Sequence, residues 1–360
     1  MAHAYRPVQW NRNKWIYDAV LVLCVVAYLL LYLEIAPQLQ QAGRAVDGAT
    51  LRMRAFGSCA FLMLTLILCI GPLARLDRRF LPLLYNRRHF GVLTCVVAAA
   101  HLSQVLGWYH AFAPVDPWVS LLSSNSAFDS FAGFPFEYLG LFAFAVLLVM
   151  AATSHDFWLA FLGPPLWKGL HMLVYPAYAA AVMHVALGAL QGEASAFEYL
   201  MVIASLAAVI PLHLAAGLRE RRRDRSQPGR RLTADGWLPV AAVANAPHDG
   251  GAMVVVLPGG ERVAVFRDGA RLGAISNLCA HQNGPLGEGR ILDGCVTCPW
   301  HGFQYRLEDG CAPPPFTEKV ATYRLRIRDG VIELDPRALP PGTLVPLPKL
   351  PESQPAEGRA

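Results

Sequence analysis

Charged residues are scarce in this sequence, and the shortage is concentrated in its first part. Asp, Glu, Lys and Arg make up only 16% of the 360 residues, whereas hydrophobic residues make up 54%. Residues 1–218 contain 22 charged side chains, and the shorter segment 219–360 contains 35. This composition argues against a disordered or fibrous chain and against an ordinary soluble enzyme. The contrast predicts two physically different domains, an oil-like one followed by one of normal globular composition.

Six apolar stretches in the first part each approach the roughly 20 residues that a helix needs to cross a bilayer. The first is too long for the core of a signal peptide, so we interpret it as a retained helix. The six predicted spans are 16–36, 55–74, 90–109, 138–154, 169–190 and 197–218. They predict a six-helix transmembrane bundle over residues 1–218, in contact with the lipid bilayer.

The loops between these spans differ in their Lys and Arg content, which sets membrane orientation. The segments 75–88 and 219–225 are rich in Arg, whereas 110–137 and 191–196 contain neither Lys nor Arg. The first loop, with Arg44, Arg52 and Arg54, does not follow this pattern. The Lys and Arg content of the other loops predicts that both termini lie on the cytoplasmic side of a bacterial inner membrane. The Arg run after the sixth span lies at a helix end, so we interpret it as a topology anchor and not as a nucleic-acid site.

Histidines within membrane helices are costly and usually functional. His101 lies about 18 Å into the third span and His184 about 22 Å into the fifth, at 1.5 Å per residue. Two neutral imidazoles at similar depth on facing helices are what a b-type haem requires. Ordinary helix packing by the alanines around them is the simpler alternative reading of these stretches.

A second pair of histidines lies nearer the cytoplasmic side. His171 precedes His184 by about 20 Å of helix, and His89 precedes His101 by a closely matching distance, so a second haem level is geometrically possible. On a straight helix His171 would lie roughly 140° away from the His184 face. Pro176 lies between them and can kink or unwind the helix. The histidines that compete for this inner level are His155 and His213.

Three stretches of this part resemble ferric-reductase-like transmembrane proteins, most closely the haem-binding membrane subunit of the bacterial methionine sulfoxide reductase system. The first is Arg87-Arg88-His89-Phe90-Gly91 followed by His101, and the second is Trp167-Lys168-Gly169-Leu170-His171 followed by His184. The third is Phe134-Pro135-Phe136 before Tyr138-Leu139-Gly140, which resembles the entry to the family's fourth helix. The resemblance covers roughly residues 50–218 and implies b-type haem at His101, His171 and His184. It does not extend to His89. Because no G-x-G-x-x-G follows a strand, direct oxidation of NAD(P)H is not indicated.

The pattern changes to period two after a linker at 219–234. Alternating segments at 253–257, 262–266 and 271–275, and a further pair at 322–328 and 331–334, are separated by Gly-containing turns. Short strands with such turns predict a small all-β antiparallel sandwich or barrel over 235–336. The last segment, 337–360, is rich in Pro and is predicted to be a flexible or extended tail.

This β domain contains a Cys-x-His and a Cys-x-x-His sequence on two separate segments. Cys279 and His281 form the first, and Cys298 and His301 form the second. Two thiolates on one iron and two imidazoles on the other are the ligands of a Rieske [2Fe–2S] centre. The match resembles the Rieske family, with agreement at Gly284-Pro285, Gly287, Gly302, Tyr305 and Pro313-Pro314-Pro315. Gly284 and Trp300 stand where respiratory Rieske proteins have a disulfide, so the loop is closer to the ferredoxin and dioxygenase branch.

The remaining cysteines allow two other readings of this domain. Cys295 and Cys298 form a C-x-x-C, which also occurs in redox-active and zinc sites. Cys279, Cys295, Cys298 and Cys311 are the four cysteines of a conceivable all-Cys site. Neither reading uses His281 or His301, so we take Cys295 and Cys311 as non-ligands.

These features predict an oxidoreductase or electron-transfer component that relays single electrons between a cytoplasmic Rieske cluster and intramembrane b-type haem, one or two in number. The expected partners are a cytoplasmic donor protein and a quinone or periplasmic acceptor. Two alternatives are a membrane-tethered Rieske carrier or sensor without haem, and a quinol oxidoreductase. The catalytic residues of any terminal reaction are not indicated.

Overall fold

The structure is a computed structural model that describes residues 12–39, 47–84, 86–191, 196–226, 231–281, 283–300, 302–314 and 316–351. The chain divides into two compact units, one within Trp10–Gly217 and the other within Leu218–Ala360.

The first unit is helical. Its α-helices in chain order are α1 (Arg12–Ile35), α2 (Gly48–Leu76), α3 (Leu81–Leu84), α4 (Arg87–Trp108), α5 (Pro117–Ser123), α6 (Phe136–Ala152), α7 (Asp156–Leu162), α8 (Pro164–His171), α9 (Val174–Leu187) and α10 (Ala196–Ser226). By length and composition, five segments of the described residues are long and apolar enough to cross a membrane. The predicted fourth span forms the shorter apolar helix α6.

The predicted fifth span is interrupted between α8 and α9, at Met172 and Leu173. Pro176 explains the position of this break. A proline has no N–H to donate to the carbonyl four residues earlier, which belongs to Met172, and its ring clashes with that carbonyl. The amide of Tyr175 instead donates to Met172 O at 3.2 Å. His171 and His184 therefore lie on two separate helices, His171 at the end of α8 and His184 within α9.

Small residues allow the helices of this unit to approach closely. Ala143 of α6 and Ala177 and Ala180 of α9 are buried against one another. Side chains of this size are typical of helix contacts in membranes. Around them lies an apolar cluster from α2, α4, α6, α9 and α10 that includes Phe61, Leu64, Leu68, Cys95, Leu147, Tyr178 and Met201.

The second unit is built from antiparallel strands, as predicted. The strands are β1 (Leu238–Ala242), β2 (Ala252–Val256), β3 (Arg262–Asp268), β4 (Arg271–Ser276), β5 (Arg290–Leu292), β6 (Cys295–Thr297), β7 (Gln304–Arg306), β8 (Thr322–Tyr323), β9 (Leu325–Arg328) and β10 (Val331–Leu334). They form three sheets with the orders β1-β10-β9, β2-β3-β4-β8 and β5-β6-β7. All strand pairs are antiparallel. One predicted ligand loop connects β4 to β5, and the other connects β6 to β7.

The Pro-rich segment after β10 is extended and packs along this unit. Its amides at Leu339, Val345 and Leu350 donate to the carbonyls of Thr322, Glu308 and Ala270 at 2.7–2.9 Å. Val345 is buried, whereas the preceding Leu344 is 72% exposed. Residues 339–350 are therefore part of the β unit, because alternating apolar side chains bury there and proline favours the extended backbone.

Candidate cluster and haem sites

The first predicted cluster loop connects β4 to β5 and is fixed by its own backbone. The amide of Cys279 donates to Gly284 O at 2.9 Å, and the amide of Asn283 donates to Cys279 O at 2.7 Å. Asn283 has a φ of 56°, a left-handed conformation that Asn tolerates better than most residues. The side chain of Asn277 accepts from Gly287 N at 2.7 Å. The loop therefore turns back on itself and presents Cys279 and His281 on one side.

The second predicted cluster loop is the hairpin between β6 and β7. The amide of Cys298 donates to Phe303 O at 2.8 Å, and the amide of Gly302 donates to Cys298 O at 3.0 Å. Gly302 has a φ of 70°, which a glycine adopts without steric cost. His301, the fourth predicted ligand, lies outside the described residues.

The two loops touch at Gly284. A Cβ atom on this glycine would lie 2.6 Å from Cys298 Sγ and 3.3 Å from the Trp300 ring. No side chain fits between the loops at this point, so glycine is required for their approach. This contact brings Cys279 and Cys298, both buried, to the same site.

The sulfur of Cys279 is held in a polar environment within the core. The hydroxyl of Tyr305 lies 3.3 Å from Cys279 Sγ. Burial raises the pKa of Cys279, but hydrogen bonds from Cys298 and Tyr305 outweigh this effect and lower the pKa below its usual value. Burial raises the pKa of Tyr305, so its phenol stays protonated and donates at neutral pH. Hydrogen bonds to thiolate sulfur favour the charged form that binds iron.

The ring of His281 lies at the same site. It is buried and stacks on Phe303, with ring centroids 5.0 Å apart and an interplanar angle of 8°. Two buried thiols next to an imidazole are the donor types that a Rieske [2Fe–2S] cluster takes from a protein. Cys279, Cys298 and His281 therefore fit such a cluster.

The two cysteines predicted not to be ligands, Cys295 and Cys311, are held in backbone pairings of the β unit. Cys295 begins β6, opposite Arg306 of β7, and Cys311 forms a bridge with Lys319. All four cysteines of this unit are described, and no three or more His, Cys, Asp or Glu residues in the described ranges could hold one metal ion. The geometry therefore gives no support to an all-Cys zinc site.

In the helical unit, the structure brings His101 of α4 and His184 of α9 together. Their ring centroids are 6.3 Å apart, and the ring planes are inclined by 79°. His101 Nδ1 donates to Met53 O at 2.9 Å, and His184 Nδ1 donates to Phe136 O at 2.8 Å. Because Nδ1 carries the proton in both rings, Nε2 is the nitrogen with a lone pair for a metal.

A cavity of ≈ 670 Å³ contains both rings. Its size falls within the range of roughly 300–1,000 Å³ that cofactor sites occupy. The wall is mostly apolar, with a few ionisable side chains that include Arg54, Glu137 and Glu198. Glu137 Oε2 is buried and has no hydrogen-bond partner within the described part of the chain. An apolar cavity with two metal-binding nitrogens and few polar groups fits a b-type haem.

The inner histidines have different surroundings. His171 Nδ1 donates to Trp167 O at 3.0 Å, and its ring stacks on the Trp167 indole with centroids 3.8 Å apart. Its Nε2 is buried without a hydrogen-bond partner of normal geometry among the described residues. His89 Nδ1 lies 2.7 Å from Asp18 Oδ2 of α1. Each inner histidine is thus positioned through Nδ1, but the structure pairs His171 with Trp167 and not with another histidine.

The two competing histidines are held in other ways. His213 uses both ring nitrogens, since Nδ1 donates to Val209 O and Nε2 lies 3.2 Å from the Tyr175 hydroxyl. His155 Nδ1 accepts the amide of Phe157 at the start of α7. Their contacts fit helix capping and packing better than iron ligation.

Three features of these sites went unrecognised from the sequence. Gly57 and Gly140 lie against the rings of His101 and His184, the carboxyl of Glu137 enters the cavity, and the Tyr305 hydroxyl reaches Cys279. A glycine in an apolar helix gives no signal of what it faces. Glu137 is an acid beside an apolar span, and that was a signal the sequence offered.

Comparison with known protein families gives two matches that do not overlap. The family model described as Rieske [2Fe-2S] domain matches residues 236–324. The family model described as ferric reductase like transmembrane component matches residues 56–182. The predicted families are thereby confirmed, and the likeness to the methionine sulfoxide reductase subunit stays a prediction.

Individual relatives match the second unit. The anthranilate 1,2-dioxygenase ferredoxin subunit of Burkholderia cepacia is 39% identical over 102 residues, which are 28% of this chain and 91% of that protein. Chlorophyllide a oxygenase of Arabidopsis thaliana is 32% identical over 127 residues, 34% of this chain but only 22% of that protein. Among solved structures, a ferredoxin of Sphingomonas yanoikuyae B1 is 28% identical over 27% of this chain and 96% of that chain, with a TM-score of 0.25.

These matches cover the two units separately. The match to 91% of a ferredoxin subunit agrees with the second unit being a self-contained Rieske domain. The match within 56–182 accounts for the helices that carry His101 and His171. The chain therefore belongs to the Rieske [2Fe–2S] family through its C-terminal unit, carries a ferric reductase-like transmembrane component, and is a multi-pass membrane electron-transfer protein.

Proposed function

We propose that this chain relays single electrons between a Rieske [2Fe–2S] cluster on its C-terminal unit and b-type haem held by His101 and His184. The observation that carries the proposal is the histidine pair inside one apolar cavity, with both Nδ1 atoms engaged by helix carbonyls. A helix bundle that served only as an anchor has no need of such a cavity. This observation favours the relay over a tethered Rieske carrier without haem.

In this proposal the cluster ligands are Cys279, His281, Cys298 and His301. The cluster and the haem, when bound, each exchange one electron at a time. The chain supplies the rest: Tyr305 donates a hydrogen bond to the Cys279 sulfur, and Met53 and Phe136 fix the tautomers of the two haem-ligating imidazoles. These groups hold each ligand before the cofactor binds, which reduces the reorganisation that electron transfer requires.

We further propose an inner haem level with His171 and His89 as its ligands. Support comes from the Nδ1 hydrogen bonds that both rings make and from the buried Nε2 of His171. Carboxylate–histidine pairs such as Asp18–His89 are common next to metals. The haem content of His89→Ala and His171→Ala tests this level, with His213→Ala as the matched control. Wild-type haem content in both variants contradicts a second haem and leaves the outer one.

The relay implies an orientation. The Arg-rich segments 75–88 and 219–225 support cytoplasmic termini in a bacterial inner membrane. A cytoplasmic protein is then the electron donor, and a quinone or a periplasmic molecule is the acceptor. A reporter enzyme fused after Ala360 should be active in the cytoplasm. Activity only on the periplasmic side would reverse the proposed path.

The relay itself is tested in inside-out vesicles, whose outer face carries the second unit in this orientation. Dithionite added outside should reduce the haem of the wild type faster than that of His281→Ala, because the variant lacks a complete cluster. His248→Ala, which removes an exposed histidine of the same unit that is not a proposed ligand, is the control. Equal rates of haem reduction in the wild type and His281→Ala contradict the relay. A quinol oxidoreductase is distinguished by haem reduction with an added quinol in place of dithionite.

A further inference from the structure

Two glycines stand directly against the two histidine rings of the haem cavity. Gly57 of α2 faces His101, and a Cβ atom added there would lie 2.9 Å from His101 Nδ1 and 3.0 Å from Cε1. Gly140 of α6 faces His184, and a Cβ added there would lie 2.8 Å from both Nδ1 and Cε1. Contacts this short involve the body of each ring and not the end of a flexible chain, so an added methyl group would displace the ring.

Each glycine belongs to the same small structural arrangement. The carbonyl that accepts the histidine Nδ1–H is four residues earlier on the same helix: Met53 before Gly57, and Phe136 before Gly140. In an α-helix that carbonyl also accepts the amide of residue i+4, which is the glycine itself. The ring therefore lies over one helical turn, with its N–H on the carbonyl and its face on the glycine.

The arrangement occurs twice, once between α2 and α4 and once between α6 and α9. A glycine alone in a membrane helix is explained by close helix packing. Here the atoms nearest to the missing Cβ are those of the imidazole and not those of the neighbouring backbone. With His101 packed on Gly57 and His184 packed on Gly140, the two imidazole planes are inclined by 79°.

We propose that Gly57 and Gly140 are positioning residues that set the planes of the two axial imidazoles nearly perpendicular to each other. The inference rests on the proposed haem function of His101 and His184. It adds that the geometry of the ligand planes is encoded on α2 and α6, outside the helices that carry the ligands. Neither glycine touches iron; each acts through the histidine it faces.

Ligand-plane orientation has a spectroscopic signature. Low-spin ferric haem with perpendicular imidazole planes gives a highly anisotropic EPR signal with one dominant low-field feature. Parallel planes give a rhombic signal with three resolved features. The wild type should show the first kind. Gly57→Ala and Gly140→Ala should shift toward the second kind. The affinity for haem should fall about ten-fold, as is typical when a group that orients a metal ligand is lost, and haem occupancy should fall with it.

The chain offers matched control glycines. Gly71 is on α2 with Gly57, and a Cβ there would meet nothing closer than 3.9 Å. Gly91 is on α4 with His101, and a Cβ there would meet nothing within 4 Å. Gly71→Ala and Gly91→Ala make the same chemical change in the same helices, so they should keep the wild-type EPR envelope and haem occupancy.

The Rieske signal of the same samples reports that each variant is folded. A changed haem envelope, or lost low-spin haem, with the Rieske signal and both controls unchanged supports the proposal. The proposal is overturned if Gly57→Ala and Gly140→Ala match the controls in envelope and occupancy, or if every low-spin haem signal of the wild type is rhombic. A wild type with no haem signal at all contradicts the proposed function itself, which separates the two failures.

Discussion

The two units differ in how far apart in the sequence their proposed metal ligands lie. Cys279 and Cys298 lie close together in the sequence, and both loops are held by hydrogen bonds of their own backbone. His101 and His184 lie far apart in the sequence, and each ring is held by a helix that carries neither ligand. Short loops therefore position the proposed cluster ligands. The proposed haem ligands are positioned by packing among the four helices α2, α4, α6 and α9.

This difference has a consequence for how substitutions act. A change in a cluster loop should affect the cluster alone, because the loop contacts are local. A change anywhere on α2 or α6 near the histidines should affect the haem, even though those helices contribute no ligand. Single substitutions at each site test that separation.

The largest effect is expected at the cluster ligands. His281→Ala and His301→Ala should abolish the Rieske EPR signal of the reduced protein, because the methyl group of alanine cannot replace an imidazole on that iron. The haem spectrum of the same samples should be unchanged, because the two sites lie in separate units. Retention of the Rieske signal in both variants would sink the ligand assignment.

The converse loss is expected in the membrane unit. His101→Ala and His184→Ala should lose low-spin haem or give a five-coordinate form, seen in reduced-minus-oxidised spectra, while the Rieske signal persists. His155→Ala, whose ring serves as a helix cap, is the control. If both variants keep wild-type haem content and a six-coordinate spectrum, the membrane unit does not conduct electrons in the way proposed.

A smaller effect is expected where the Pro-rich segment packs on the β unit. Val345→Ala removes a buried side chain and should destabilise this unit by about 2 kcal/mol. Leu344→Ala removes an exposed side chain of similar kind and should have almost no effect. The measurement is the temperature at which the visible circular dichroism of the cluster is lost. Equal midpoints for the two variants would show that residues 339–350 do not stabilise the unit.

The smallest effect is on the cluster potential. Tyr305→Phe removes a hydrogen bond to the Cys279 sulfur, worth roughly 1 kcal/mol, which corresponds to about 40 mV for a one-electron couple. The potential should fall, because such a bond stabilises the more negative, reduced cluster. Tyr323→Phe removes a phenol that donates instead to Glu261 and is the control. An unchanged potential in Tyr305→Phe would show that the contact between the phenol and the Cys279 sulfur has no effect on the cluster.

The same contrast explains what the sequence could and could not predict. The Cys-x-His and Cys-x-x-His pattern predicts the cluster ligands from the sequence alone, because the loops that carry it are short and local. Strands β1, β5, β6 and β7 were not predicted. The last three have only three residues each, too few to show a period of two, and β1 contains Pro239, which argues against a strand. In the membrane unit, hydropathy predicted where the helices lie, and depth along the helices predicted that His101 and His184 would meet.

What the sequence could not predict depends on packing between distant helices. Gly57 contacts the His101 ring because α2 packs against α4, and Gly140 contacts the His184 ring because α6 packs against α9. Pro176 predicted a kink or break in this span, and the break lies at Met172 and Leu173. The position of His171 relative to His184 depends on how α8 packs, which the sequence does not give.

The proposed function requires a Rieske cluster and low-spin haem in one chain, as separate one-electron centres. A combined EPR and optical redox titration of the purified full chain measures both. We expect a Rieske signal that titrates as a one-electron couple, together with at least one low-spin b-type haem that titrates independently. A preparation with a full Rieske signal and no haem absorbance would refute the relay and leave a membrane-tethered Rieske carrier.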